Sequence, residues 1–236
     1  MKPSLAQRFA TAFLEGGRWK LYLQGLGTTL ELTVVALIFG VLLGLVVAVV
    51  RSAHDQQRVG RRNPVLGVLN VLCQIYTTVI RGTPMLVQLF IWTFVIFPTQ
   101  RNKILVAFIG LGVNSGAYVA EIIRGGLMSV DAGQSEAGRS LGLGYFDTMR
   151  FIVIPQAFKN ILPSLGNEFI TLFKDTSLAQ AIGGMEMLYY ASTIGGRTFD
   201  CMPPLLGIAV MYLAIVIVFT WLQGRLERRL RESDRR

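Results

Sequence analysis

The sequence is short of the residues that soluble catalysts depend on. It contains one histidine, His54, and two cysteines, Cys73 and Cys201. With a single imidazole in a loop, no histidine-based metal cluster or catalytic pair is available. The cysteines fall at different expected depths, which predicts two free thiols and no disulfide framework. No G-x-x-x-x-G-K-[ST] segment occurs, so the chain lacks that cradle for nucleotide phosphates. Charged residues make up only 16% of the chain against 52% hydrophobic. We therefore expect no catalytic residues, no metal ligands and no cofactor bound by this chain.

What is present is apolar and clustered. Leu32 to Val50 holds only Thr33 as a polar residue and stops at Arg51. Leu205 to Leu222 is nearly as apolar and ends before Arg225. A membrane-spanning helix needs roughly 20 such residues. Backbone groups in lipid must be bonded within the segment, so helices are the expected form. The composition thus predicts an all-α polytopic membrane protein. The first twenty residues have no apolar core ahead of Glu15, Arg18 and Lys20, and do not read as a cleavable signal peptide.

The formal charge of +9 does not point to nucleic acid, because no basic run carries interleaved aromatics. The basic residues collect beside apolar segments, as they do when Lys and Arg are retained on the cytoplasmic side. Five spans are expected, at about 26–50, 85–97, 104–123, 161–182 and 205–222. Residues 65–80 read as a helix at the cytoplasmic interface, ended by "RGTP" (Arg81–Pro84), with Arg81 marking the cytoplasmic boundary. With the N-terminus outside and the C-terminus inside, inner basic residues outnumber outer ones two to one. The expected layout is an outward segment 1–24, a transmembrane domain 25–224 and a basic cytoplasmic tail 225–236.

One cytoplasmic stretch differs from everything around it. "EAGRSLGLGYFDTMRFIVIPQ" (136–156) joins a short amphipathic helix to a glycine break at Gly142–Gly144. A second amphipathic turn follows, and Pro155 fits the first turn of the next helix. Periodicity alone leaves two readings open: a helix lying in the membrane interface, or a docking element for a soluble partner.

The residue identities add a resemblance. Glu136-Ala137-Gly138, then Gly142, then Ile152-x-Ile154-Pro155 resembles the E-A-A…G…I-x-L-P loop of ABC-transporter permease subunits. Gly138 and Ile154 depart from it, replacing alanine and leucine, and Gly138 is expected to loosen the helix slightly. "GLGTTLELTVVAL" (25–37), "VIRGTPMLVQL" (79–89), "VNSGAYVAEIIRGGLMSV" (113–130) and "NEFITLFKDTSL" (167–178) resemble the polar amino acid branch, the histidine, arginine, glutamine and glutamate permeases of bacterial importers. The resemblance covers about Gly25–Leu222. It implies a five-span type I ABC importer permease fold in a bacterial inner membrane. It implies a coupling hairpin at about 131–155 in which Tyr145 and Phe146 enter a cleft of a partner ATPase, where ATP and Mg are used. It also implies a second permease copy or a related permease, and an extracytoplasmic amino acid-binding protein.

Polar residues within the spans are the candidates for a pathway, since ionisable groups there are costly and usually functional. Glu168, Thr171 and Asp175 fall at i, i+3 and i+7, and Asn167, Thr171 and Lys174 form the adjacent stripe. One reading is an inward structural network with Lys174 paired to Asp175 or Glu168. The other, which the resemblance favours, lines a translocation pathway, with Glu168 meeting an ammonium group. Gln88, Asn114 and Tyr118 are further pathway candidates, and Glu121 with Arg124 reads as an interfacial ion pair. The outward segment 182–200 reads as a broken connection that caps the pathway or receives a binding protein. Two alternatives stay open: an ion-coupled secondary transporter using Glu168 and Asp175, and an ABC permease for a different small solute. No internal repeat of spans supports the first.

Overall fold

A computed structural model describes residues 3–57 and 63–233. Of the basic residues used for orientation, Lys2, Arg58, Arg61, Arg62, Arg235 and Arg236 lie outside the described residues. The described residues contain helices and no strand. The helices are α1 (Leu5–Phe13), α2 (Trp19–Asp55), α3 (Pro64–Gly82), α4 (Met85–Phe90), α5 (Lys103–Met128), α6 (Ala132–Ser140), α7 (Tyr145–Thr148), α8 (Ile154–Asp175), α9 (Met187–Thr198) and α10 (Met202–Ser233). Segments Ile91–Ile96 and Met149–Val153 are π-helical, and Thr176–Ile182 is a 3₁₀ helix.

Four segments are long and apolar enough to cross a membrane: Glu15–Asp55, Pro64–Gly82, Lys103–Met128 and Met202–Leu230. The expected span at 161–182 is helical too, as α8 and the 3₁₀ turn after it. It carries Asn167, Glu168, Lys174 and Asp175, which is why it is less apolar than the others. The helix expected at 65–80 is present as a 19-residue helix, long and apolar enough to cross a membrane. Asn63 caps it by accepting from the Val65 N–H, with Pro64 at the first helical position. The break after it falls at "RGTP" as expected. Pro84 offers no N–H and pushes Thr83 into extended backbone, so the helix stops and α4 starts afresh at Met85.

The chain divides into two compact units. The first comprises Met1–Leu37, Pro84–Gly112 and Phe169–Leu222. Its core joins Leu32 and Ala36 of α2, Leu89 of α4, Val106, Ala107 and Leu111 of α5, and Leu172 of α8. A second cluster gathers Tyr22, Met187, Ala191, Ile194 and Ile208. At its edge the Glu186 side chain, fully buried, caps α9: its carboxylate accepts from the Leu188 and Tyr189 N–H groups at 2.8 Å and from the Tyr212 hydroxyl at 3.1 Å. The Met187 N–H donates to Thr29 Oγ1 at 3.3 Å. A buried carboxylate with three donors is a satisfied structural group, so the 182–200 segment is held in place and not a loose connection. On this unit's surface, Arg8 donates two hydrogen bonds to the Asp200 carboxylate, at 2.6 and 2.8 Å.

The second unit comprises Ile38–Thr83, Val113–Glu168 and Gln223–Arg236. Its helices meet at glycines. A Cβ on Gly40 would lie 2.9 Å from Ser115, and one on Gly44 would lie 2.7 Å from Val119 and 2.9 Å from the Ala120 nitrogen. A Cβ on Gly116 would meet the Tyr76 hydroxyl at 2.8 Å, and that hydroxyl donates to the Val113 carbonyl at 2.6 Å. Small residues let backbones approach where lipid supplies no hydrophobic drive for helix association.

Two outcomes follow. Gly44→Ala lowers the melting temperature of the purified protein, since overpacking costs about 1–3 kcal/mol, whereas Gly67→Ala, with open space at its Cβ, leaves it unchanged or raises it. The Arg8 guanidinium holds the Asp200 carboxyl below its usual value by hydrogen bonding. A lowered folded-state value stabilises above the ordinary carboxylate range and is lost as pH falls through the lowered value. Fluorescent labels on α1 and α9 should therefore separate only under strongly acid conditions, and Asp200→Asn should abolish that acid step.

Candidate functional site

The hairpin is built from local rules. Asp131 caps α6 by accepting from the Gly133 N–H at 2.7 Å. The helix closes with the Gly142 N–H on the Arg139 carbonyl and the Leu143 N–H on the Gly138 carbonyl. Gly142 sits at φ +80°, left-handed backbone that glycine adopts without steric cost. Gly138, the departure from the usual alanine, is buried: a Cβ there would lie 3.0 Å from Thr148 and 3.1 Å from Ile152. It therefore lets the two arms of the hairpin close on each other, rather than merely loosening α6.

The second arm has no break before the membrane. α7, the π segment Met149–Val153 and α8 run as one helix. Pro155 cannot donate to the carbonyl four residues back, and the π register just ahead of it absorbs that missing bond. Cross-links fasten the arms to their own unit. Tyr145 donates to Gln56 Oε1, Gln156 donates to Gln134 Oε1 at 3.1 Å, and Asn160 donates to Ser129 Oγ at 2.8 Å.

The hairpin turns large apolar side chains outward among the exposed charges of Glu136, Arg139, Asp147 and Arg150. Leu141 is 80% exposed and Phe146 83% exposed, with Tyr145, Phe151 and Ile154 exposed beside them. Glu136, Ala137 and Pro155 are also exposed, and Ile152 is half-buried against Gly138. A cluster of exposed aromatics on a rigid, hydrogen-bonded element marks an interaction surface.

In the same unit, Glu168 of α8 meets α5: the Ser115 hydroxyl donates to Glu168 Oε1 at 2.7 Å. Asn167 Oδ1 accepts from the Gln223 amide at 3.1 Å, and the same amide reaches the Pro163 carbonyl at 3.1 Å. Gly166 leaves the room in which Gln223 lies. Asn114 and Tyr118 are one turn apart on α5. Glu121 hydrogen-bonds Arg51 as well as Arg124, an ion-pair triplet joining the C-terminal parts of α2 and α5. That pair is structural, as expected, with one more partner than the spacing suggested. Gln88, Thr171 and Asp175 belong to the first unit: Gln88 is buried in α4, Asp175 is half-buried and Thr171 is exposed. An apolar cavity of about 450 Å³ is lined by Val41, Leu45, Val49, Ile123, Phe158 and neighbours, with no charged side chain. Its polar lining is Ser52, Gln56 and Tyr145.

Sequence reasoning missed Ser115, Gln223 and Glu186. Ser115 sits beside the already marked Asn114, and small hydroxyls in a span carry that signal weakly. Glu186 follows Gly183 and Gly184 as a helix cap, a pattern short enough to pass unnoticed.

A multi-span helical fold with an apolar hairpin and a carboxylate held inside a span defines a membrane transport component. Residues 63–232 match the family described as binding-protein-dependent transport system inner membrane component, and the chain belongs to it. It is 34% identical over 215 residues to the arginine transport system permease protein ArtQ of Bacillus subtilis (strain 168), covering 90% of this chain and 93% of that protein. It is 33% identical to the putative glutamine transport system permease protein GlnP of Rickettsia prowazekii (strain Madrid E), covering 88% and 92%. A crystal structure described as an amino acid ABC transporter with histidines superposes with a TM-score of 0.83 at 35% identity, over 97% of this chain and all of that one. The inward-facing MetNI methionine ABC transporter shares the fold, with a TM-score of 0.77 at 19% identity over 92% and 99%. The protein is thus a multi-pass inner-membrane transport component with a type I importer permease fold.

Gly142→Asp forces a branched side chain into left-handed backbone, which costs about 1–2 kcal/mol. Hydrogen exchange should quicken across α6 and α7 while the amides of α5 keep their protection.

Proposed function

We propose that this chain is the permease subunit of an ATP-driven ABC importer for polar amino acids. The exposed Phe146–Tyr145 face of the hairpin carries this reading, because an apolar surface on a stiff element outside the spans needs a soluble partner. That partner is an ATPase, which binds ATP and Mg and hydrolyses the nucleotide; this chain supplies the surface that feels its closure. α7 to α8 is continuous helix from the hairpin to Glu168, with Pro163 inside it, so tilting the hairpin is carried along that helix toward a pathway carboxylate. The N-terminus lies outside and the tail inside, in keeping with the basic residues beside the inner helix ends. A second permease copy, or a related one, completes the pathway, and an external binding protein delivers the solute. Relatives named for arginine, glutamine and cystine support amino acids as the cargo class.

Phe146 touches little within its own chain besides Tyr145, so Phe146→Ala tests docking without disturbing the fold. Burying a phenylalanine contributes about 1.5–3 kcal/mol, so the variant should hold its ATPase about tenfold to a hundredfold more weakly at an unchanged melting temperature. Recovery of no ATPase with the wild-type chain from native membranes, alongside uptake driven by an ion gradient, would favour secondary transport instead.

A further inference from the structure

The hairpin meets the end of α2 across two adjoining cavities, both inside the second unit. On α2, Val41, Leu45, Val49, Ser52 and Ala53 recur at helical spacing and form one stripe, which Gln56 extends just past the helix end. Along this stripe runs the apolar cavity of about 450 Å³, bordered on its other sides by Ile123 of α5 and by Phe158 and Ile161 of α8. Val41 to Ser52 measures about 16 Å of helix, and one leaflet of hydrocarbon is about 15 Å deep.

Beyond Ser52 the lining changes character. A second cavity, of about 780 Å³, shares Ala53, Gln56, Tyr145 and Met149 with the first and adds Ser135, Arg139, Leu143 and Thr148. Among the described residues Arg139 is the one charged group lining it, and no carboxylate pairs with Arg139 within 4 Å. Thr148 points independently to a polar occupant. It is 4% exposed, it lines this cavity, and its hydroxyl has no hydrogen-bond partner in the protein. Buried polar groups are nearly always satisfied, so this hydroxyl calls for a partner from outside the chain.

An occupant that fits both cavities has an apolar chain as long as a leaflet is deep and an anionic head that accepts hydrogen bonds. A free phosphate would leave the apolar stripe unused, and a plain hydrocarbon would leave Arg139 and Thr148 unmatched. We propose that the paired cavities hold one anionic phospholipid, with an acyl chain along Val41, Leu45 and Val49 and its phosphate on Arg139 and the Thr148 hydroxyl. The lone guanidinium favours a head of net negative charge over one that carries its own ammonium. Seated there, the lipid ties α2 to the hairpin and reinforces the Tyr145–Gln56 hydrogen bond. This site goes beyond the importer reading and needs no ATPase; it makes the hold of α2 on the hairpin depend on membrane composition.

The test takes the full chain in mild detergent, offers it dioleoylphosphatidylglycerol or dioleoylphosphatidylcholine, and counts retained lipid by native mass spectrometry. The wild type should retain one phosphatidylglycerol about fivefold more strongly than phosphatidylcholine, the effect of one cation at an anionic head. Arg139→Gln should erase that preference. Thr148→Val keeps the side chain's shape and should weaken phosphatidylglycerol by about tenfold, the loss of one hydrogen bond to a charged group. Val49→Trp fills the apolar cavity from an exposed position and should weaken both lipids at unchanged helix content. Equal retention of the two lipids by the wild type overturns the proposal, as does an undiminished preference in Arg139→Gln. Glycerol 3-phosphate binding as tightly as the lipid overturns it too, because the site then reads a phosphate without its chain. So does an Arg139→Gln chain that keeps its lipid but loses a soluble protein recovered with the wild type, since the second cavity is then a protein interface.

Discussion

Hydrocarbon offers no hydrogen-bond partner to a peptide group, and the architecture of this protein follows from that one constraint. Each apolar run closes its own backbone as a helix. Where the ideal ladder fails, at Pro84 and Pro155, the chain does not leave the groups stranded. At Pro84 it stops one helix and starts another; ahead of Pro155 it shifts to π register and continues. The same demand explains why the irregular stretch 183–186 is tied to its neighbours. Glu186 supplies acceptors for the first N–H groups of α9 and is itself held by Tyr212.

A second constraint comes from lipid being as apolar as leucine. Helices gain little by burying leucines against one another and must gain by proximity instead. Gly40, Gly44 and Gly116 serve this in the second unit, and Gly25, whose Cβ would lie 2.7 Å from the Met187 Cα, serves it in the first. Close backbones bring side-chain hydroxyls into range of partners across helices. The Ser115–Glu168 contact follows from this arrangement, since Ser115 lies directly against Gly40. Packing and side-chain placement are thus one feature: widening the α2–α5 approach would also displace the hydroxyl that holds the Glu168 carboxylate.

The second hairpin arm runs into α8 as continuous helix, with Pro163 further along it. Gly142 concentrates the conformational freedom in the turn between the arms, while Gly138 lets those arms lock together. Pro155, expected in the first turn of the next helix, stands there within a continuous helix.

Much of this was legible in the chain. The lengths of the apolar runs, the break at Pro84, the turn at Gly142 and the ion pair of Glu121 with Arg124 follow from local rules, which act over a few residues and so leave a mark in the order of amino acids. The helix of Pro64–Gly82 was legible as a helix, but its strong amphipathic pattern is the same whether a helix lies on a membrane or lines a bundle within it. Ser115 as the partner of Glu168, 53 residues away, left no trace at all. Period and capping are properties of neighbours along the chain, whereas a hydrogen bond between two spans depends on which helix faces meet, and only the tertiary packing at Gly40, Gly44 and Gly116 decided that.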